Sequence, residues 1–293
     1  MSTTILELAH AGNSVFARAP RTATYMLKLP RREWGRRHWL PLLFRRDVRL
    51  PDTGPIVTFT FDDFPRSAQE AGGAILKSFG LRGTFYASYG LVGTTDAYSG
   101  DLFCLEDLYR LVNDGHELAS HTFHHVSGRE TSTAAFVKDV LDGRAAMQSI
   151  PGLLVSDNFA YPFGAVTAVT KRAVGRTMLS CRSIFRGVNG SVVDLNLLRA
   201  NPLYGGVEQL STIRRLLARA QELGGWLIFY AHDVQDHPSR YGCTPALLES
   251  AVKAALEISA KVMTVSQVLA GAVHSQAVAN RPPVSSTVSH RNA

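Results

Sequence analysis

The chain has 293 residues, 45% of them hydrophobic and 19% charged, a balance that excludes wholesale disorder. No stretch supplies the ~20 consecutive apolar residues of a membrane span, and Cys104, Cys181 and Cys243 stand too far apart to form a CxxC pair, so neither a thiolate zinc site nor a disulfide framework is indicated. The net charge of +7 is concentrated near the start, where ten cations between Arg18 and Arg49 face only Glu33 and Asp47.

The opening residues lack the charged start, continuous apolar run and small-residue cleavage site of a secretory leader, so a cytoplasmic protein is expected. Residues 1–50 read as a basic extension that carries Tyr25, Trp34, Trp39, Leu42, Leu43 and Phe44 among its arginines. Two readings stay open for 18–49. Either it lies on an anionic membrane surface, where each Lys or Arg contributes about 1 kcal/mol, or its aromatics pack on the following domain while the arginines stay solvated. Pro30 and Pro41 interrupt any long amphipathic helix there.

Ile56–Phe61 is a β-branched and aromatic run that predicts a buried strand, and it leads straight into Asp62 and Asp63. A helical pattern over Ala68–Phe79 is closed by Gly80, and Arg82–Ala87 is the next strand. The alternation continues with helices over Leu105–Asn113, Thr133–Met147, Val207–Leu223 and Thr244–Ile258. Strands are predicted at His116–Ser120, Asn158–Tyr161, Ser180–Phe185, Trp226–Tyr230 and Lys261–Thr264. Strands alternating with helices imply a parallel α/β sheet, and polar residues recurring at strand ends favour a barrel. The domain is expected over 51–272, with 273–293 an aperiodic, disordered tail.

His121 and His125 are four residues apart, a spacing that on a helical turn puts two imidazoles on one face. The Asp62–Asp63 pair offers a hard carboxylate to complete a two-histidine, one-carboxylate set and a second carboxylate to act as base for a metal-activated water; the other reading is a helix cap. Thr60-Phe61-Asp62-Asp63 resembles the TFDD motif of polysaccharide deacetylases, and His121-Thr-Phe-His-His125 resembles their H-[ST]-x-x-H motif. Asn113–Glu117 and Gly83–Tyr86 are similar to neighbouring segments of that family, with the likeness running from Ile56 to Ala270.

The resemblance implies a distorted, incomplete (β/α) barrel that hydrolyses the N-acetyl or a related acyl group of an amino sugar. It implies Asp62 as general base and Asp63, His121 and His125 as ligands of one divalent ion. Zinc is the first expectation, while cobalt, nickel, manganese and iron suit the same donors. His232, at the end of Leu227–Ala231, matches the family's general acid; its other reading is a strand-end histidine satisfied by a loop carbonyl. Tyr161-Pro162-Phe163 resembles the end of a motif written R-x-P-[YF], with Pro162 fixing a loop whose Phe163 N–H faces the developing oxyanion.

Where that motif has its arginine this chain has Ala160. Arg182 is the candidate replacement, with a phosphate site or a surface ion pair as its other readings. The tryptophan motif is not recognisable, so Leu203, Tyr204 and Phe185 stand as candidate walls for the acyl pocket, and Tyr161, Pro162 and Tyr204 as substrate contacts. His124 is expected to point away from the histidine pair, and no nucleic-acid partner is expected. The rivals are a non-sugar amide hydrolase on the same fold and a non-catalytic carbohydrate-binding barrel.

Overall fold

A computed structural model of the chain describes residues 39–279. Residues 18–38 of the basic segment and 280–293 of the expected tail lie outside the described residues. Among the described residues, no helix is long and apolar enough to cross a membrane.

In chain order the strands are β1 (Asp47–Arg49), β2 (Ile56–Asp62), β3 (Thr84–Ala87), β4 (Thr95–Asp96), β5 (Gly100–Asp101), β6 (Glu117–Ser120), β7 (Asn158–Ala160), β8 (Ser180–Arg182), β9 (Val192–Asp194), β10 (Asn201–Pro202), β11 (Trp226–Ala231) and β12 (Lys261–Val262). The helices are α1 (Ala74–Ser78), α2 (Leu105–Asn113), α3 (Thr133–Gln148), α4 (Ala168–Val174), α5 (Leu210–Leu223), α6 (Pro245–Glu257) and α7 (Val265–Ala279). The main sheet runs β10-β11-β2-β3-β6-β7-β8, every pair parallel, with β12 on the lower part of β2. The segment from Leu198 to Pro202 closes it. On one side Leu198 N donates to Cys181 O at 2.9 Å and Ser183 N to Leu198 O at 2.9 Å; on the other Asn201 pairs with Phe229. The result is a curled, distorted α/β barrel of seven successive strands with β12 as a short eighth beside β2, and so departs from the regular eightfold form.

Period-two alternation sorts each strand into an outer and an inner face. Outward, Val57, Phe59, Phe61, Phe85, Leu227 and Phe229 bury against Leu76, Leu108, Leu217, Leu247 and Leu248 of the helices. Inward, most residues are polar or small, with Ile56, Trp226 and Ile228 in a second apolar cluster. The lower end is filled by Glu117, whose buried carboxylate accepts from Thr84 Oγ1 (2.9 Å), Ser156 Oγ (2.7 Å), Asn158 Nδ2 (2.6 Å), Ser266 N (3.0 Å) and Ser266 Oγ (2.7 Å). These donors satisfy a charge that would otherwise be costly to bury. Tyr86, Ala119 and Ala160 form the layer above, and Asp62 and Arg182 lie at the upper ends of their strands.

Two local expectations are corrected. The helix begun at Ala68 opens as a wide π-helical turn, Ala68–Gly73, before α1. Gly72 and Gly73 permit close packing there, since a Cβ on Gly72 would stand 3.0 Å from Val234 Cγ2. The last helix runs to Ala279, seven residues into 273–293, the segment expected to be a disordered tail. The described part of the basic segment is pinned through its backbone: buried Lys171 pairs with Asp194 at 2.6 Å and donates to Leu40 O (3.0 Å) and Leu43 O (2.6 Å). Leu40 is buried, while Trp39 (64%) and Leu42 (62%) stay exposed beside Leu43 and Phe44.

Candidate active site

Asp62 is the last residue of β2 and keeps the inward parity of Thr58 and Thr60. Simple alternation would send Asp63 outward with Phe61. Instead Asp63 and Phe64 both take left-handed backbones (φ 60° and 53°), conformations that cost non-glycine residues energy. Phe64 is held there by stacking between Phe85 and Phe103, at ring distances of 5.2 Å each. The reversal brings the Asp63 carboxylate back over the barrel mouth beside Asp62.

The histidines are delivered by the end of β6. His121 continues the inward parity of Glu117 and Ala119, but the next residues are no helical turn, which corrects the i,i+4 argument. They form an irregular loop with left-handed Thr122 (φ 71°) and His125 (φ 55°). Two features of α3 hold that loop. Asp139 Oδ2 accepts from the backbone N–H of Phe123 (3.1 Å) and His124 (3.0 Å), and Asp139 Oδ1 meets His124 Nδ1 at 2.6 Å, turning His124 away from the site. Gly143 lets the loop lie against the helix, since a Cβ there would fall 2.5 Å from Thr122 C and O. Neither Asp139 nor Gly143 was legible as a site residue, for both act through loop geometry.

His121 is buried, and its Nδ1 donates to Ala160 O at 2.8 Å, so Nε2 carries the lone pair. Burial lowers its pKa to about 4 despite the neighbouring carboxylates, which keeps the ring neutral at pH 7. The position that lost the motif arginine thus still orients a histidine through its carbonyl. His125 Nε2 lies 3.0 Å and His121 Nε2 3.5 Å from Asp63 Oδ1, and His232 Nε2 lies 3.7 Å from Asp63 Oδ2. Burial pushes the Asp63 carboxyl up, but the close approach and charge of His125 with the charges of His121 and His232 outweigh it and hold Asp63 well below the usual carboxylate range. The His125 pKa is opposed by burial but raised on balance by Asp63.

Asp63 Oδ1 is buried yet has no well-directed hydrogen bond, although two imidazole nitrogens face it. Donors about 2.1 Å from a shared ion stand about 3.0–3.4 Å apart at octahedral or tetrahedral angles, which agrees with 3.0 and 3.5 Å. Asp63, His121 and His125 each present one atom within 4.8 Å of the others. The orphaned oxygen, the fixed tautomer of His121 and the spacing fit a divalent cation.

Arg182 Nη2 reaches both Asp62 oxygens, at 2.5 and 2.6 Å, from across the barrel mouth. Its guanidinium lies over Tyr86 and Tyr230, 5.1 Å from each ring centre. Burial works against its charge, but Asp62 and the two phenols raise its pKa on balance. Ala160 and Arg182 are direct partners in the β7–β8 ladder, so both face inward side by side.

A cavity of about 570 Å³ opens over these groups, lined by Asp62, Asp63, His121, His125, His232 and Arg240 and by Phe163, Ile184, Tyr204, Tyr230, Tyr241 and Tyr98. Phe163 has a left-handed backbone (φ 58°) and stacks its ring 4.5 Å from that of His125. His232 stands beside Tyr241 (5.5 Å) and Tyr204 (6.4 Å), with Nδ1 3.3 Å from Tyr241 O.

Tyr161 and Pro162 are corrected as substrate contacts. Both are buried off the cavity, because Tyr161 shares the outward parity of Phe159 and stacks on Phe136 of α3. Leu203 belongs to the outer core and Phe185 packs near Val174, so the apolar wall comes from Ile184, Phe163 and Tyr230. Tyr204 does line the cavity.

Residues 49–180 match the polysaccharide deacetylase family model. No curated protein matches the chain by sequence. Among solved structures, the chitin deacetylase of the fungal pathogen Colletotrichum lindemuthianum superposes with a TM-score of 0.53 at 18% identity, covering 75% of this chain and 89% of its own. The peptidoglycan deacetylase PdaC of Bacillus subtilis gives 0.49 at 16% identity, over 78% and 97%. A pseudoenzyme of carbohydrate esterase family 4 from Bacillus anthracis gives 0.48 at 14%, over 76% and 68%. The matched segment holds the Asp62–Asp63 strand end and both histidines, and the curled parallel barrel has the fold of the Colletotrichum enzyme: over residues 49–180 the chain is similar to the polysaccharide deacetylase family.

Proposed function

We propose that this protein is a metal-dependent hydrolase that removes an N-acetyl or related acyl group from an amino sugar. One observation carries the reading: a buried, orphaned Asp63 oxygen shares a focus with His121 and His125, at the floor of a cavity that Asp62 and His232 also line.

A divalent ion held by Asp63, His121 and His125, zinc first, supplies Lewis acidity toward an acyl carbonyl and a water. Asp62 accepts the proton of the attacking water at a carboxylate oxygen, and Arg182 compensates its buried charge while fixing its orientation. The Phe163 N–H, on its left-handed turn, serves the oxygen of the tetrahedral centre. His232 directs Nδ1 to Tyr241 O and so keeps Nε2 for a proton handed to the departing amine. Phe163, Ile184, Tyr204 and Tyr230 exclude water around the acyl group.

The test is acetate release from chitooligosaccharides, nucleotide-linked N-acetyl sugars and lipid-linked precursors by metal-stripped and metal-reloaded protein. Release that needs metal supports the reading. Metal-loaded protein inert on every sugar but active on simple amides favours the non-sugar hydrolase, and complete inertness with sugar binding favours the non-catalytic barrel. The proposal also sets the enzyme at the cytoplasmic membrane face. Supporting this are the ten cations of 18–49 and the exposed Trp39, Leu42, Leu43 and Phe44 that the Lys171 anchor presents to solvent.

A further inference from the structure

The far rim of the cavity holds a second feature. The β4–β5 hairpin carries Tyr98, the loop after His232 carries Arg240 and Tyr241, and the Arg240 guanidinium lies over both rings, 5.5 Å from the centre of Tyr98 and 4.6 Å from that of Tyr241. Among the described residues Arg240 has no hydrogen bond and no carboxylate partner. Of the two acids on the facing hairpin, Asp101 accepts from Thr95 Oγ1 (2.8 Å), and Asp96, which lines the cavity, accepts at Oδ1 from Tyr98 N (2.9 Å), Ser99 N (2.8 Å) and Ser99 Oγ (2.9 Å) of its own turn. Arg182, buried beneath the cavity and not part of its lining, is held by Asp62.

The loop is built to hold this position. Buried Asp233 accepts from Ser239 N (2.7 Å), Ser239 Oγ (2.5 Å) and Gln235 Nε2 (2.9 Å). Gly242 allows the loop to cross Asp233, since a Cβ there would come within 2.3 Å of Oδ1. From the reacting end outward the wall is one aromatic run: Tyr230 to Tyr204 (5.5 Å), Tyr204 to Tyr241 (6.0 Å), then Arg240 and Tyr98. With its Cζ over two rings and, among the described residues, no hydrogen-bond partner, Arg240 keeps its N–H groups as free donors, a fork that matches the paired oxygens of a carboxylate or phosphate.

We infer that Arg240, clasped by Tyr98 and Tyr241, is the specificity-determining residue of a rim subsite that binds an oxyanion, carboxylate or phosphate, carried by the substrate beyond the acylated sugar. This rests on the proposed deacetylase reading for its kinetic test. The substrates are an uncharged N-acetylglucosamine tetramer, the same oligomer bearing a carboxylate, and the same oligomer bearing a phosphate. The wild-type protein prefers a charged substrate, and the preference fades with salt as the rim is screened. Arg240→Gln lowers the charged-to-neutral ratio of kcat/KM about tenfold, the loss of one charge-assisted contact, and Tyr98→Ala lowers it by less. A larger effect in the carboxylate or in the phosphate arm identifies the source. A wild type without charge preference, or a ratio unmoved by Arg240→Gln, overturns the inference. Calorimetric binding of the same three oligomers keeps it testable on its own: if no oligomer is deacetylated, the function fails, while charge-selective binding lost in Arg240→Gln still supports the subsite.

Discussion

Replacing Arg182 by Met removes the only cation paired with Asp62 among the described residues while keeping most of the side-chain volume between Tyr86 and Tyr230. Both partners are buried, the Arg182 side chain 1% and the Asp62 side chain 7% exposed, so solvent screening gives little relief. A pair of charges about 4 Å apart interacts by about 4 kcal/mol at an effective dielectric near 20, and breaking one partner of a buried pair costs about 3–5 kcal/mol. Arg182→Met is therefore expected to destabilise by about 4 kcal/mol in urea unfolding. Asp62→Asn, which strands the guanidinium, should cost a similar amount. Joined, the two changes should cost less than their sum by about 3 kcal/mol, at the upper end of measured couplings. Ala160→Arg on an Arg182→Ala background should recover part of the loss, since the two positions face each other across the β7–β8 ladder. A coupling below about 0.5 kcal/mol would refute the argument that this ion pair holds the base.

Other outcomes separate the remaining roles. His121→Ala should lose both bound metal and turnover by elemental analysis and acetate assay, whereas Asp62→Asn should keep the metal and lose the rate; stoichiometric metal in His121→Ala would dismiss the ligand set. Buried His116 accepts from Gly83 N at Nδ1 (3.0 Å), and burial holds its pKa down to about 4 from 6.5. Its unfolded form takes up a proton first, so its contribution is full above pH 6.5 and is lost as pH falls through 4. That is at most about 3 kcal/mol at 1.36 kcal/mol per pH unit. The stability slope over that window should flatten in His116→Gln, and an unchanged slope would count against it. Protein with the intact basic segment should sediment with anionic vesicles at low salt and release at 1 M, where the Debye length is about 3 Å; indifference to vesicles at low salt rejects the membrane contact.

The barrel and the metal focus were legible because each is written locally. Ile56–Phe61 spells a strand buried on both faces, and the residues at its end, with His121 and His125, carry a recognisable motif. What spacing could not show is how those donors converge. The left-handed backbones of Asp63, Phe64, Thr122 and His125 are imposed by Phe85, Phe103, Asp139 and Gly143, contacts that no i,i+4 pattern encodes. Tyr161 was misplaced by motif analogy although strand parity was available to correct it: Asn158 points inward, so Phe159 and Tyr161 point outward. The rim formed by Tyr98, Arg240 and Tyr241 joins loops some 140 positions apart and leaves no periodic trace.

The side-by-side placement of Ala160 and Arg182 bears on how such a site changes over descent. A chain with arginine at both positions keeps a guanidinium on the base throughout, so the anchor can pass from one strand to its neighbour in two substitutions with no ancestor left unsupported. In this chain the gap at Ala160 is matched by a guanidinium one strand over, bonded to Asp62.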